Sequence, residues 1–256
     1  MTPSSPADLG PCKICGGPAP LHLVVDFNRN LEEWHGLYLP LSGIPVYYGR
    51  CTVCGFLFTR LCDDWSPEAF RARIYNEGYA QVDPEHAESR PARIAPMIPK
   101  MFFKNLARMA ILDWGGGSGA MKRELERFGA ARVEAYDPFI PQFSQPPSGL
   151  FNLITCFEVI EHLTDPVAAA RDMIAFLDPE EGAVLHSTAP QPEDRIARQL
   201  WPYLAPRNGH ISLFTHDALR RLWTQLGFHF VPVSDDVYLA FANPPAYAAH
   251  LIKSTN

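Results

Sequence analysis

From Met109 onward, short apolar blocks alternate with stretches in which apolar residues recur every three or four positions, the pattern of strands crossed by helices. Ala110-Ile-Leu-Asp113 predicts a strand, Gly119 to Phe128 a helix, Arg132-Val-Glu-Ala-Tyr136 a second strand and Phe151-Asn-Leu-Ile-Thr-Cys156 a third. Thr164 or Asp165, followed by Pro166, is placed to cap a helix whose apolar residues run from Val167 to Leu177. Gly182-Ala-Val-Leu-His-Ser187 gives a further strand, Thr215 caps a helix reaching Leu226, and Phe228 to Val233 with Val237 to Ala242 form a closing hairpin. Strands and helices in this order predict an α/β architecture, a doubly wound and mostly parallel sheet.

The first hundred residues have a different pattern. Leu21-His-Leu-Val-Val25 and Ile44-Pro-Val-Tyr-Tyr48 predict short strands, and Ser66-Pro67-Glu68 starts a helix. Pro91, Pro96 and Pro99 break the chain beyond it into short helices. The expected organisation is a small subdomain over 1–62, a helical connector or lid over 63–108 and the main domain over 109–256. A chain of 256 residues suits one large domain with a small appendage.

Cys12-Lys-Ile-Cys15-Gly16 and Cys51-Thr-Val-Cys54-Gly55 are two copies of one device. A two-residue spacer lets both thiolates face one point, and the following glycine permits the tight turn that aims backbone N–H groups at sulfur. Together Cys12, Cys15, Cys51 and Cys54 supply the four soft ligands of a tetrahedral Zn²⁺, and because all four positions close the site, the ion is expected to be structural. The 35 residues between the pairs form an excursion that carries the two strands. Cys62 and Cys156 are expected to be small buried hydrophobes.

Composition narrows the class. Twenty-two Lys and Arg against 28 Asp and Glu give a net charge of −6, which counts against a surface built throughout to hold nucleic acid. Arg90, Arg93, Lys100, Lys104 and Arg108 form one local basic stretch, read either as a solvated helix face or as a place for a phosphate. No apolar run is long enough to cross a bilayer, and the opening MTPSSPADLG has neither a basic start nor an apolar core, so no membrane partner and a cytoplasmic location are expected.

Leu112-Asp113-Trp114-Gly115-Gly116-Gly117-Ser118-Gly119 places a glycine-rich turn between strand and helix, where backbone can touch a ligand. Asp137 ends the next strand, where a carboxylate can accept hydrogen bonds from ribose hydroxyls. The string resembles motif I of class I S-adenosylmethionine-dependent methyltransferases, with Asp113, Gly115, Gly117 and Gly119 on its key positions. Val133 to Asp137 resembles motif II, Phe151 to His162 resembles the segment around the fourth strand, and Trp201 to Phe214 resembles the stretch before the last helix. With the cysteine pairs, the chain resembles zinc-bearing methyltransferases of sugar and secondary-metabolite pathways. The resemblance implies a Rossmann-like methyltransferase fold with S-adenosyl-L-methionine held by Asp113, Gly115, Gly117, Gly119, Asp137, Phe157 and Glu158. By their place on the connector, Tyr75, Tyr79 and Arg90 are candidates to lid the cofactor, a placing that packing explains equally well. Two departures stand out: only 13 residues separate Asp137 from Phe151, too few for the usual helix and strand, and Asn152 replaces the family's Asp. Adenine contacts are therefore expected from Phe139 or the 142–148 loop. Asn243-Pro-Pro-Ala-Tyr247 looks like an amino-methyltransferase box but falls in the wrong place, and is read as a C-terminal turn.

The methyl group of a sulfonium is already activated, so a base matters only for a protonated acceptor. His162 and His210 are the candidate catalytic residues. Glu158, Glu161 and His162 fall at i, i+3 and i+4, one face of a helical turn and a spacing that suits octahedral Mg²⁺, although the same string also occurs in relatives that need no metal. The expected acceptor is a small molecule, a sugar, nucleotide-sugar or related metabolite. Two alternatives are a zinc-bearing RNA base methyltransferase, disfavoured by the acidic total, and a non-catalytic cofactor-binding interaction module.

Overall fold

The computed structural model describes residues 8–253. The first seven, on which the reading of the N-terminus rests in part, and the last three lie outside the described residues. The strands are β1 (Asp8–Pro11), β2 (Pro18–Asp26), β3 (Pro45–Arg50), β4 (Leu57–Phe58), β5 (Ala110–Trp114), β6 (Arg132–Tyr136), β7 (Leu153–Phe157), β8 (Ala183–Ser187), β9 (Ser212–Leu213), β10 (His229–Pro232) and β11 (Val237–Phe241). The α-helices are α1 (Pro67–Arg73), α2 (Tyr79–Val82), α3 (Ser89–Ile94), α4 (Met97–Phe102), α5 (Ala120–Arg127), α6 (Pro166–Ile174), α7 (Arg195–Leu200), α8 (His216–Thr224) and α9 (Ala249–Lys253). Two compact units divide the chain. One gathers residues up to Pro84 with Ile160–Ala168 and Ala189–Leu222; the other gathers Glu85–Val159, Ala169–Thr188 and residues from Trp223 on.

The first unit is built on an antiparallel sheet in the order β1-β2-β3-β4-β9. The predicted strands around Leu21 and Val46 are β2 and β3, paired with a register shift between Leu21 and Leu23. Phe56 packs on Phe58 and Phe214 with ring centroids at 5.4 and 4.9 Å, which fills this unit's interior with aromatic surface. Tyr48, fully buried, donates its hydroxyl to the carbonyl of His210 at 2.7 Å, so its one polar atom is satisfied. Ser66 caps α1 through the amide of Ala69, as its sequence predicts.

The second unit holds a six-stranded sheet in the order β10-β11-β8-β7-β5-β6. β6, β5, β7 and β8 run parallel, and β11 and β10 add an antiparallel hairpin at one edge. The short link after Asp137 leaves no room for another strand, so β6 is the sheet's edge. The core on one face gathers Ile98, Phe102, Ile111, Leu125, Leu153, Leu185 and Leu239, all essentially without exposure. On His186 burial drives the pKa down to about 3; the ring stays neutral and accepts from Trp223 Nε1 at 2.9 Å. Asn152 serves the sheet: its Oδ1 accepts from the Ala110 amide at 2.9 Å, and its carbonyl accepts from Tyr247. No helix among the described residues is long and apolar enough to cross a membrane.

Candidate functional site

The carboxyl ends of β5 and β7 meet where the strand order reverses, the position at which open α/β sheets bind ligands. The loop leaving β5 is tied down at its start, since the amides of Gly115 and Gly116 both donate to the carbonyl of Tyr136 at 2.8 and 3.2 Å. At its end Gly119 takes φ +73° as the N-cap of α5; a Cβ there would approach the Phe143 ring to 2.6 Å, so only glycine fits. Between them nothing lies within 4 Å of where a Cβ would stand at Gly117, so the loop's backbone faces open space there. Asp137 stands beside it: Oδ2 accepts from the Gly117 amide at 3.1 Å, Oδ1 accepts from the Phe139 amide at 2.8 Å, and its own amide donates to Phe143.

Asp113 is 4% exposed. Its Oδ1 accepts from Thr155 Oγ1 at 3.0 Å, and its Oδ2 has no hydrogen-bond partner among the described residues. Burial pushes its pKa up to about 7; the Thr155 hydroxyl opposes the rise and the charge of Asp137 adds to it. The folded state therefore holds a proton that the unfolded chain releases near pH 4, and stability should fall as pH rises from about 4 to about 7. The loss is of the order of 4 kcal/mol across that window. Asp113→Asn removes the titration and should flatten this part of the stability profile, read by urea melts at several pH values; an unchanged slope would refute the assignment.

Glu158 follows β7 with φ +53°, the only non-glycine residue in the left-handed region among the described residues. Ser187, at the end of β8, brackets it by donating Oγ to Glu158 Oε1 at 2.7 Å and accepting from its amide at 3.1 Å. This conformation corrects the expectation that Glu158, Glu161 and His162 share one face of a helical turn. The helical turn begins only at Ile160, so Glu158 is not on it. Phe157, the last residue of β7, is half-buried against the core of its sheet.

In the first unit, His162 and His210 come together, with ring centroids 4.9 Å apart at 78°. His210 is 2% exposed and its Nδ1 hydrogen-bonds the carbonyl of Tyr203 at 2.7 Å. Glu161, without exposure, accepts from the Tyr203 hydroxyl, and its Oε1 lies 3.8 Å from His162 Nε2. Tyr79 is buried, its hydroxyl donates to the carbonyl of Asn208 at 3.3 Å, and its ring meets Tyr75 edge-on at 5.2 Å. Of the basic stretch, Arg93 is paired with Glu85 through two hydrogen bonds of 3.0 and 2.8 Å.

The four cysteines predicted as ligands converge in the same unit. Cys12 Sγ lies 3.7 Å from Cys54 Sγ, and Cys15 Sγ lies 3.5 Å from both Cys51 and Cys54. Both pairs fold alike: Gly16 N donates to Cys12 O and Gly55 N to Cys51 O, while Ile14 N and Val53 N point at sulfur at 3.4 Å. Contact with Cys54 draws the Cys12 thiol down to about 5 and drives Cys54 far up. Cys62 and Cys156 are buried, and burial raises Cys62 to about 12.

Sequence reasoning did not single out Phe143, Thr155 or Ser187, and it named Tyr203 only as part of the stretch from Trp201 to Phe214, without a role. Phe143 lies in the 142–148 loop named for adenine contacts, but only the fold sets it on Gly119. The others are common residue types whose roles arise from strand register or from a proline-rich segment without periodicity.

A strand, glycine loop and helix with an acidic residue ending the next strand define a class I methyltransferase fold. The model of a family described as "Methyltransferase domain" matches residues 86–233, more than half of the chain, and the chain belongs to that family. No curated protein matches the sequence. Among solved structures, an O-methyltransferase family protein from Burkholderia thailandensis is similar with a TM-score of 0.51 at 11% identity, over 71% of this chain and 64% of that one. The N-methyltransferase NodS from Bradyrhizobium japonicum in complex with S-adenosyl-L-homocysteine is similar with a TM-score of 0.44 at 15% identity, over 68% of this chain and 95% of that one. The chain thus spans less than two thirds of the length of the first of these proteins.

Proposed function

We propose that this protein transfers a methyl group from S-adenosyl-L-methionine to a small-molecule acceptor, a sugar, nucleotide-sugar or related metabolite. The observation that carries the cofactor assignment is the glycine loop after β5, open at Gly117 and tied there to the Asp137 carboxylate. Asp113, Gly115, Gly117 and Gly119 would hold the amino-acid end and Asp137 the ribose, with Glu158 at the next strand end and Phe143 on the adenine side. Asp113 Oδ2, buried and without a partner among the described residues, suits a cofactor that brings a positively charged donor. Bound there, the cofactor supplies an electrophilic methyl group, and the protein's part is to hold the acceptor in line. His162 and His210 are assigned the acceptor's proton. The net charge of −6 and the pairing of Arg93 with Glu85 and Arg123 with Glu88 favour a metabolite over a nucleic acid.

The cysteine cluster is assigned a structural Zn²⁺. Four sulfurs about 2.3 Å from one ion lie about 3.8 Å apart, close to the 3.5 to 3.7 Å between the three hydrogen-bonded sulfur pairs. A closed set of four thiolates leaves no position for substrate, so the ion's contribution is to the fold. Calorimetry on pure folded protein tests the whole reading. Uptake of S-adenosyl-L-methionine or its demethylated product at one site per chain is expected, and no uptake of either would end the methyltransferase assignment. Tight RNA binding that weakens steeply with salt would favour an RNA acceptor instead.

A further inference from the structure

The first unit contains a second group of metal-ligating side chains, distinct from the cysteines. Ligand atoms of Glu161, His162 and His210 all lie within 4.8 Å of one another, and two of the three residues are buried. We propose that they bind a divalent first-row transition ion, with one carboxylate and two imidazoles as ligands.

Three observations point to an ion. First, two of the three ligands are already oriented by a second group. His210 Nδ1 is held by the Tyr203 carbonyl, which makes Nδ1 the donor and leaves the lone pair on Nε2. Glu161 is held from the other side by the hydroxyl of the same Tyr203. Metal-binding histidines and carboxylates are characteristically fixed in this way, by a backbone carbonyl behind the imidazole and a hydrogen bond to the carboxylate. Second, the spacing fits an ion better than it fits a hydrogen bond. His162 Nε2 stands 3.8 Å from Glu161 Oε1, too far for a hydrogen bond. Two ligands about 2.1 Å from one ion lie about 3.0 to 3.4 Å apart, so this pair stands within an ångström of ligand spacing. Third, the backbone has been cleared for one imidazole. Gly209 has φ +88°, and a Cβ there would stand 2.9 Å from His162 Nδ1, so the glycine lets that ring lie flush in its place with Nε2 on the side of Glu161.

The donor set selects the ion class. Two imidazoles and one carboxylate suit Zn²⁺, Mn²⁺, Fe²⁺, Co²⁺ or Ni²⁺, whereas Mg²⁺ prefers oxygen ligands throughout. Three protein ligands also leave coordination positions for water or an acceptor hydroxyl, in contrast to the closed cysteine site. With the ion in place the two imidazoles are ligands and no longer bases, and a coordinated hydroxyl, made more acidic by the ion, would lose its proton to solvent water. The site itself does not depend on the methyltransferase reading.

Protein loaded with a single equivalent of zinc, held by the four thiolates, and then titrated with Co²⁺ tests the proposal. One further Co²⁺ per chain is expected, with weak visible bands and without the intense thiolate-to-cobalt absorption that the cysteine site would give. His162→Ala should weaken this uptake roughly 100-fold or more. Tyr203→Phe, which leaves all three ligands in place and removes only the hydroxyl behind Glu161, should weaken it about 10- to 100-fold, with the circular dichroism spectrum unchanged. Absence of a second ion in the wild type, or uptake that His162→Ala and Tyr203→Phe leave unaltered, overturns the proposal. Protein that binds S-adenosyl-L-methionine but no second ion overturns this site alone; protein that takes up the ion but not the nucleoside overturns the methyltransferase reading alone.

Discussion

Cys51→Ser is expected to lose the cysteine-bound zinc, about one ion per chain, and to loosen the first unit at ordinary temperature. Cys51 is 1% exposed, and its backbone closes the second knuckle through hydrogen bonds to Phe56 and from Gly55. A structural zinc in a small domain contributes about 10–16 kcal/mol of apparent binding energy at neutral pH, comparable to or larger than a typical domain stability of about 5–15 kcal/mol. Losing one of four ligands should forfeit several kcal/mol of that. The loss should be concentrated in the sheet from β1 to β9, because the second knuckle is fastened to it. Gln191 Nε2 bonds the carbonyls of Gly55 and Leu213, and Thr215 Oγ1 bonds that of Cys54. Metal analysis with a thermal melt reads both effects, and a variant that keeps full zinc and an unchanged melt would show that the cysteines hold no structural ion. Chelation of the wild type should reproduce the variant's melt.

Asp137→Ala should weaken binding of S-adenosyl-L-homocysteine at least 100-fold by calorimetry. A carboxylate accepting from two ribose hydroxyls makes two charge-assisted hydrogen bonds, each contributing about 1.5–3 kcal/mol. Removing the side chain also frees the amides of Gly117 and Phe139, which loosens the loop that would meet the cofactor. Asp137→Asn separates the two effects: it keeps an acceptor for one amide but loses the charge, so it should fall between wild type and Ala. Equal affinities for all three proteins would mean that the ribose is held elsewhere.

The parallel sheet was legible because its strands are buried on both faces and therefore appear as nearly unbroken apolar runs, such as Leu153 to Cys156 and Ala183 to Leu185. The glycine loop and Asp137 were legible because close backbone approach, and the ribose-holding role proposed for the carboxylate, constrain residue type at fixed positions. Glu158 was not. Nothing in Phe157-Glu158-Val159 announces a left-handed residue, and reading a continuous helical turn through it put Glu158 on a turn that begins only at Ile160. The grouping of Glu161 with His210 was likewise out of reach, since 48 residues separate them and Tyr203, which orients both, lies in a segment without periodicity. β9 was missed for a simpler reason: two residues carry no alternation, and their pairing with β4 is set wholly by tertiary context.

That pairing imposes an order on biosynthesis. At about 5–20 residues per second, Ser212 and Leu213 leave the ribosome about 8–30 s after Leu57 and Phe58. During this interval the two apolar residues of β4 form an open sheet edge with no strand to cover it, the kind of surface at which nascent chains stick to one another. All four cysteines emerge before the gap begins, so an ion captured early would clamp the young sheet until its last strand arrives, a sequence of events that proteolysis of stalled nascent chains with and without zinc would expose.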